Sequence, residues 1–117
     1  MYQVSDIEIL IATMNRDNLA FLEVMFSKTD VTKYNILIIN QTTTEKQLHT
    51  TSHTIKVINV FEKGLSKSRN LALQHATKKL LVFTDDDVVF EANFDTTIIN
   101  AFNDYPNFDG FRFPFQM

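Results

Sequence analysis

The chain alternates between short apolar runs and stretches in which apolar residues recur every three or four positions, the pattern of alternating strands and helices. Continuous apolar runs are typical of strands that are buried on both faces of a parallel sheet. Such runs predict four strands, at residues 7–12, 34–39, 55–61 and 80–84. The third run partly alternates with polar residues, which places that strand nearer an edge of the sheet.

Helical spacing of apolar residues predicts three helices, at residues 17–28, about 66–76, and 93–103. A side-chain oxygen that accepts a backbone N–H often starts a helix, so Asn15 or Asp17 is expected to cap the first helix. By the same argument, Ser66 or Ser68 is expected to cap the second.

Residues 42–54 are polar and rich in threonine, which predicts a loop or a short irregular helix. His49 and His53 are four positions apart, as two metal ligands on one helix face would be. Nothing else in this segment indicates a helix or a third ligand. We therefore interpret them as solvated histidines on a surface loop.

A last strand is predicted at residues 108–115, where Phe111, Phe113 and Phe115 alternate with Arg112 and Pro114 and give the strand one aromatic face. Pro114 suits an edge or the end of a strand. The aromatic face belongs to the core if the sheet is covered there. If it is uncovered, it would be an interface through which copies of the chain form a homo-oligomer.

The order of these elements predicts an α/β fold, a three-layer α/β/α sandwich around a mostly parallel sheet. The 117 residues suit a single domain with a modest core, spanning residues 1–117. Because parallel strands are joined by right-handed crossovers, the strand ends near Ala12, Asn40 and Asp85 should share one rim of the sheet. Ligands of open α/β sheets bind at this rim.

Composition narrows the function. The net charge of −3 gives no electrostatic basis for binding nucleic acid, and the absence of cysteine excludes disulfides and thiolate metal sites. No apolar stretch is long enough to span a membrane, and the N-terminus lacks the pattern of a signal peptide. A cytoplasmic protein is expected.

Three adjacent carboxylates, Asp85, Asp86 and Asp87, follow the apolar run of the fourth strand directly. Like charges this close repel one another, and a cation between them would remove that cost. Mg²⁺ binds carboxylate oxygens together with substrate phosphates, so the triplet predicts a metal-assisted phosphate site. A solvated acidic turn is the alternative. The chain has neither a glycine-rich dinucleotide fingerprint nor a P-loop.

Four segments carry a resemblance: Ile-Leu-Ile-Ala-Thr-Met-Asn-Arg, Ile-Leu-Ile-Ile-Asn-Gln, Gly-Leu-Ser-Lys-Ser-Arg-Asn-Leu-Ala-Leu and Leu-Leu-Val-Phe-Thr-Asp-Asp-Asp. Together they resemble the nucleotide-binding N-terminal half of an inverting family 2 glycosyltransferase with the GT-A fold. The resemblance implies a nucleotide-diphospho-sugar donor, most often a UDP-sugar, and Mn²⁺ or Mg²⁺ as cofactor. The sugar would pass to a glycan or lipid acceptor that the sequence does not identify.

The resemblance also implies roles for individual residues. Thr13 and Arg16 would lie near the nucleobase and ribose, and Arg69 near the base or diphosphate. In the Asp-x-Asp motif, Asp87 would bind the metal and Asp85 the ribose or the metal. Asp86 would belong to the nucleotide site, and Asn40 would face the base.

The chain departs from the family pattern twice. Asn40 stands where the family usually has an aspartate, which leaves the identity of the base open. The acceptor-binding half, with its catalytic Asp or Glu, is not expected within residues 1–117, so no residue is assigned as the catalytic base.

Ordinary structural roles also fit the candidate residues. Asn40 could satisfy backbone groups at a strand end, and Arg69 could be an exposed helix residue paired with an acid. At the level of function, the alternatives to a donor-binding domain are a non-catalytic nucleotide-binding or protein-interaction module and a degenerate protein that keeps only the fold.

Overall fold

The structure, a computed structural model, describes residues 2–62 and 64–104 of the chain. Its sheet has four strands: β1 (Ile7–Met14), β2 (Asn35–Gln41), β3 (Ile55–Val60) and β4 (Leu80–Asp85). They pair in parallel in the order β3-β2-β1-β4, which confirms the predicted α/β class and the edge position of the third strand. The predicted strand at residues 108–115 lies outside the described residues.

Helices lie on both faces of this sheet: α1 (Phe21–Met25), α2 (Leu65–His75) and α3 (Phe94–Asp104). Alternate side chains of the central strands project to opposite faces. Ile9 and Ile11 pack against α1 and α3, whereas Leu10 packs against α2 through Ala72. The result is the three-layer sandwich that the sequence predicts.

The helix starts differ from the prediction. Asn15 has a φ of 54° and donates its backbone N–H to Gln41 O, so it ends β1 and leaves α1 to begin only at Phe21. Asp17 does not cap α1 either. The N-cap is Ala20, and the backbone N–H of Ala20 donates to Asn18 Oδ1. Residues 17–28 therefore contain five helical residues instead of twelve. The prediction that Ser66 or Ser68 caps the second helix was also wrong. Gly64 is the N-cap of α2, and both serines lie inside the helix.

Residues 42–54 form a loop without a regular helix, and His49 and His53 are both exposed on it. This arrangement agrees with their interpretation as solvated histidines. Leu48 anchors the loop, because its side chain is only 1 % exposed and packs into the larger core cluster.

A buried carboxylate fastens the turn between α2 and β4. Glu8, on the α2 face of β1, is only 2 % exposed, and its Oε1 accepts the backbone N–H groups of Thr77 and Lys78 at 2.7 and 3.2 Å. These two bonds satisfy backbone donors just beyond the last turn of α2, and they fix where β4 enters the sheet.

Replacing Glu8 with alanine should therefore lower the free energy of unfolding by about 3 kcal/mol, because two backbone N–H groups lose a charged acceptor in a buried site. Glu8→Gln keeps one acceptor oxygen and should cost about 1 kcal/mol. Urea unfolding followed by circular dichroism measures both. Equal losses in the two variants would show that packing of the side chain, and not hydrogen bonding, is what matters at this position.

Candidate functional site

The carboxyl ends of the central strands meet at one rim. The parallel register places Thr13 opposite Asn40, Met14 opposite Gln41, and Ala12 opposite Asp85. This is the rim that the crossover argument predicts, and the acidic triplet begins there with Asp85, the last residue of β4.

Asp86 is the most strongly bonded member of the triplet. Its Oδ2 accepts a hydrogen bond of 2.6 Å from Thr13 Oγ1 and one of 2.8 Å from Arg16 Nη2. Arg16 also donates from Nε to Thr13 Oγ1 at 3.2 Å, and its guanidinium lies 4.7 Å from the ring centroid of Phe21. The three polar side chains thus form one cluster that joins the ends of β1 and β4.

The electrostatics of this cluster favour an ionised Asp86. Burial alone would raise the pKa of Asp86, but the hydrogen bonds from Thr13 and Arg16 and the positive charge of Arg16 outweigh it and lower the pKa. Asp86 is therefore a carboxylate whose charge Arg16 already balances.

Asn40 lies beneath Arg16 and is completely buried. Its Oδ1 accepts the backbone N–H of Arg16 at 3.1 Å, and its Nδ2 donates to Arg16 O at 2.8 Å and to Asn59 Oδ1 at 3.0 Å. Asn59 in turn pairs with both backbone groups of Leu48. The Asn40 side chain thus holds the loop after β1, and Asn59 holds the loop after β2.

Gln41, the last residue of β2, anchors the start of α2. Its Nε2 donates to Gly64 O at 2.8 Å and to the buried hydroxyl of Ser68. Gly64 has a φ of 140°, which strains any residue with a Cβ, so its glycine is required for this turn. In the sequence, only its place next to Asn40 at a predicted strand end distinguishes Gln41.

Two adjoining pockets open at the rim. A space of about 440 Å³ is lined by eight residues: Ala12, Thr13, Met14, Gln41, Ser68, Asp85, Asp86 and Asp87. A second, of about 310 Å³, lies toward β3 and includes Phe61 and Thr43. Met14 and Gln41 border both pockets, so the two lie next to each other.

Arg69 reaches the same region from α2. It lines a smaller cavity of about 100 Å³ together with Ser68, Phe83 and Asp85. Across the described parts of the chain, the side chains of Arg69, Asp85 and Asp87 make neither a hydrogen bond nor an ion pair, and all three residues are exposed. One cationic and two anionic side chains are therefore available to a ligand.

The structure thus brings Thr13, Asp85, Asp86 and Asp87 to one pocket, with Arg69 beside it. Arg16 contacts the pocket through Asp86, and Asn40 lies below it without exposure. Within residues 2–62 and 64–104, no three acidic or histidine side chains are close enough together to bind a metal ion by themselves.

A parallel sheet covered by helices on both faces, with a polar pocket at the carboxyl ends of its central strands, defines the class of α/β domains that bind ligands at this rim. A model of the family described as Glycosyl transferase family 2 matches residues 8–117, and the chain belongs to that family. The sheet agrees with the GT-A fold, which is Rossmann-like. Comparisons with curated proteins and with solved structures gave no match.

Membership in the family makes this a domain of the glycosyltransferase class. No helix among the described residues is long and apolar enough to cross a membrane.

Proposed function

We propose that this chain binds the nucleotide-diphospho-sugar donor of a glycosyltransferase, with a divalent metal at its Asp-x-Asp motif. The observation that carries the proposal is the set of unpaired charges at the rim. Asp85 and Asp87 are exposed carboxylates without partners in the described regions, and Arg69 is an unpaired cation next to them. A metal ion and a diphosphate together would satisfy all three.

The donor set fits Mg²⁺ or Mn²⁺. Both are hard cations that prefer oxygen, and Mg²⁺ in proteins is usually held by one or two carboxylates, substrate phosphates and water. Asp87, with Asp85 beside it, would hold the metal, and the diphosphate would supply the remaining ligands. When bound, the metal acts as a Lewis acid that stabilises the negative charge of the leaving nucleoside diphosphate.

Arg69 would neutralise the diphosphate from the side of α2. A guanidinium forms charge-assisted, often bidentate hydrogen bonds with phosphate oxygens. Gln41 supports this role indirectly, because it fixes the turn of α2 that carries Ser68 and Arg69. Thr13 would approach the ribose side of the donor, as the resemblance implies, and Arg16 would act from behind it through its ion pair with Asp86. Asn40 would contribute by fixing the backbone of Arg16 and not by contacting the base.

The pocket toward β3 suits the nucleobase. Met14 is 51 % exposed and Phe61 is 54 % exposed, and both border this pocket together with the exposed residue Thr43. A planar base would cover apolar surface there, with the hydroxyl of Thr43 beside its polar edge. We propose uracil, and therefore a UDP-sugar donor, as the resemblance implies.

Phe61→Ala is expected to weaken nucleotide binding about tenfold, because stacking of a base on an aromatic ring is worth about 1–3 kcal/mol. Stability should change little, since more than half of the ring is exposed. Calorimetric titration with UDP measures the effect. Val24→Ala is the matched control, because Val24 is 63 % exposed on α1, away from this pocket. Equal affinities in the two variants would exclude Phe61 from the base site.

Titration of the unaltered chain with UDP and with GDP, each with and without Mn²⁺, tests the proposal as a whole. UDP binding that Mn²⁺ strengthens, with UDP preferred over GDP, is the expected result. Absence of binding by either nucleotide would overturn the proposed donor site, and preference for GDP would correct the base.

Transfer of the sugar to an acceptor needs a catalytic base in addition to the donor site. Among the described residues we assign no catalytic base, so we propose that sugar transfer needs an acceptor-binding half in addition to residues 1–117. Detectable transfer by this chain alone would contradict that statement. The alternative, a non-catalytic nucleotide-binding module, predicts the same binding but no transfer even when an acceptor domain is added. Association through residues 108–115, which sedimentation measures, stays a prediction.

A further inference from the structure

The middle carboxylate of the acidic triplet differs from its neighbours. In the described parts of the chain, Asp86 is the only one of the three whose side chain is hydrogen bonded. Its side chain is 28 % exposed, whereas Asp85 and Asp87 are exposed residues. Both donors, Thr13 and Arg16, belong to β1 and the loop that follows it, about 70 positions earlier in the chain.

The partner of Asp86 is itself fixed at both ends. The guanidinium of Arg16 bonds to Thr13 and lies over Phe21, which is 7 % exposed. The backbone N–H and C=O of Arg16 both pair with the side chain of Asn40, which is 0 % exposed. Asp86 is therefore attached to a residue that the core of the domain holds in place.

The negative charges of the three carboxylates are not equally compensated. The Oδ2 of Asp86 accepts two hydrogen bonds, and the charge of Arg16 balances that of the carboxylate. A metal ion at Asp86 would have to compete with Arg16 for this oxygen. Among residues 2–62 and 64–104, no cation pairs with the flanking carboxylates, and their combined charge of −2 matches a divalent cation.

We infer that Asp86 is a positioning residue: through Thr13 and Arg16 it fastens the turn after β4 to the end of β1, and thereby places Asp85 and Asp87 for the metal and the diphosphate. The inference rests on the proposed donor site. It assigns to Asp86 a role other than the direct nucleotide contact predicted from the resemblance. Arg16 serves the same positioning role as the partner of Asp86.

A double-mutant cycle tests this inference, with Arg16→Ala, Asp86→Ala and the combined variant titrated with UDP in the presence of Mn²⁺. Each single variant should bind about tenfold more weakly, the usual loss when a residue that orients a metal ligand is removed. The combined variant should bind at most about twofold more weakly than the weaker-binding of the two single variants. Both substitutions break the same interaction, the ion pair of Arg16 and Asp86. Additive losses would overturn the inference, since each residue would then act on the ligand separately.

A conservative variant separates positioning from direct ligation. Asp86→Asn keeps an oxygen that can accept the bonds from Thr13 and Arg16, so it should retain most of the affinity that Asp86→Ala loses. A directly ligating carboxylate would lose as much affinity in Asp86→Asn as in Asp86→Ala, and that result would overturn the inference. Glu91→Ala, which breaks the surface ion pair of Lys28 and Glu91 at 3.2 Å, is the matched control and should leave binding unchanged.

Backbone order parameters of Asp85, Asp86 and Asp87, measured by NMR without nucleotide, provide a readout that does not depend on the proposed function. In Arg16→Ala they should fall from about 0.85 to about 0.6 or below, and in Glu91→Ala they should not change. Unchanged values in Arg16→Ala would overturn the fastening role even if the nucleotide binds. Failure of the unaltered chain to bind UDP with Mn²⁺ would instead overturn the proposed donor site, while a fall in these values would still support the fastening.

Discussion

Asp87→Ala is expected to abolish the Mn²⁺-dependent part of UDP binding, a loss on the order of 100-fold or more. Loss of a residue that only orients a metal ligand already costs about 10–100-fold, so loss of the ligand itself should reach at least the upper end of that range, about 2.8 kcal/mol. The affinity measured without metal should stay the same, because contacts to the base and from Arg69 remain. Titration with UDP in the presence and absence of Mn²⁺ separates the metal-dependent from the metal-independent part of the affinity.

Folding should be unaffected by this substitution. Asp87 is exposed, and its carboxylate has no partner within the ranges that the structure describes, so the free energy of unfolding should change by less than about 0.5 kcal/mol. Asp104→Ala, which removes an exposed acid at the end of α3, is a control for net charge. If Asp87→Ala still binds UDP with an undiminished dependence on Mn²⁺, the metal is not at this carboxylate.

The sheet could be predicted because its physical signal is local. Central strands buried on both faces require continuous apolar residues, and β1 and β2 have them. The helix starts could not be predicted this way. Asn15 is a good capping residue in isolation, but its backbone N–H pairs with Gln41 across the sheet, and that long-range bond decides its conformation.

The candidate site was predicted as a region but not in its internal organisation. The sequence places Asp85, Asp86 and Asp87 after a buried strand, and crossover topology brings Thr13 and Asn40 to the same rim. Which acid pairs with Arg16 depends on strand register and side-chain direction, and adjacent residues of one type cannot reveal it. The base-facing role predicted for Asn40 stays a prediction, and the pairing of its amide with Arg16 and Asn59 favours a structural one.

Asn40→Asp is expected to lower the free energy of unfolding by about 3–5 kcal/mol at neutral pH, although it introduces the residue that the family usually has there. One carboxylate oxygen could still accept the N–H of Arg16, but the other would face two acceptors, Arg16 O and Asn59 Oδ1, in a fully buried site. A buried charge without a compensating partner costs about this much. Asn59 cannot turn its amide to help, because its oxygen and nitrogen are both matched to the backbone of Leu48.

The pH dependence of this loss provides a sharper test than its size. Burial against two acceptor oxygens should raise the pKa of the introduced carboxyl above its unfolded value of about 3.9. A protonated carboxyl can donate to Arg16 O or Asn59 Oδ1, so the variant should be closest to the unaltered protein below pH ~4 and lose stability as the pH rises through the raised folded pKa. Asn40→Ala, which introduces no titratable group, should cost about 2–3 kcal/mol with no added pH dependence. Urea unfolding between pH 4 and 8 compares the stabilities of the two variants. Parallel pH profiles would mean that the introduced carboxyl reaches solvent. Asn40 would then not be the buried link between the loop after β1 and Asn59.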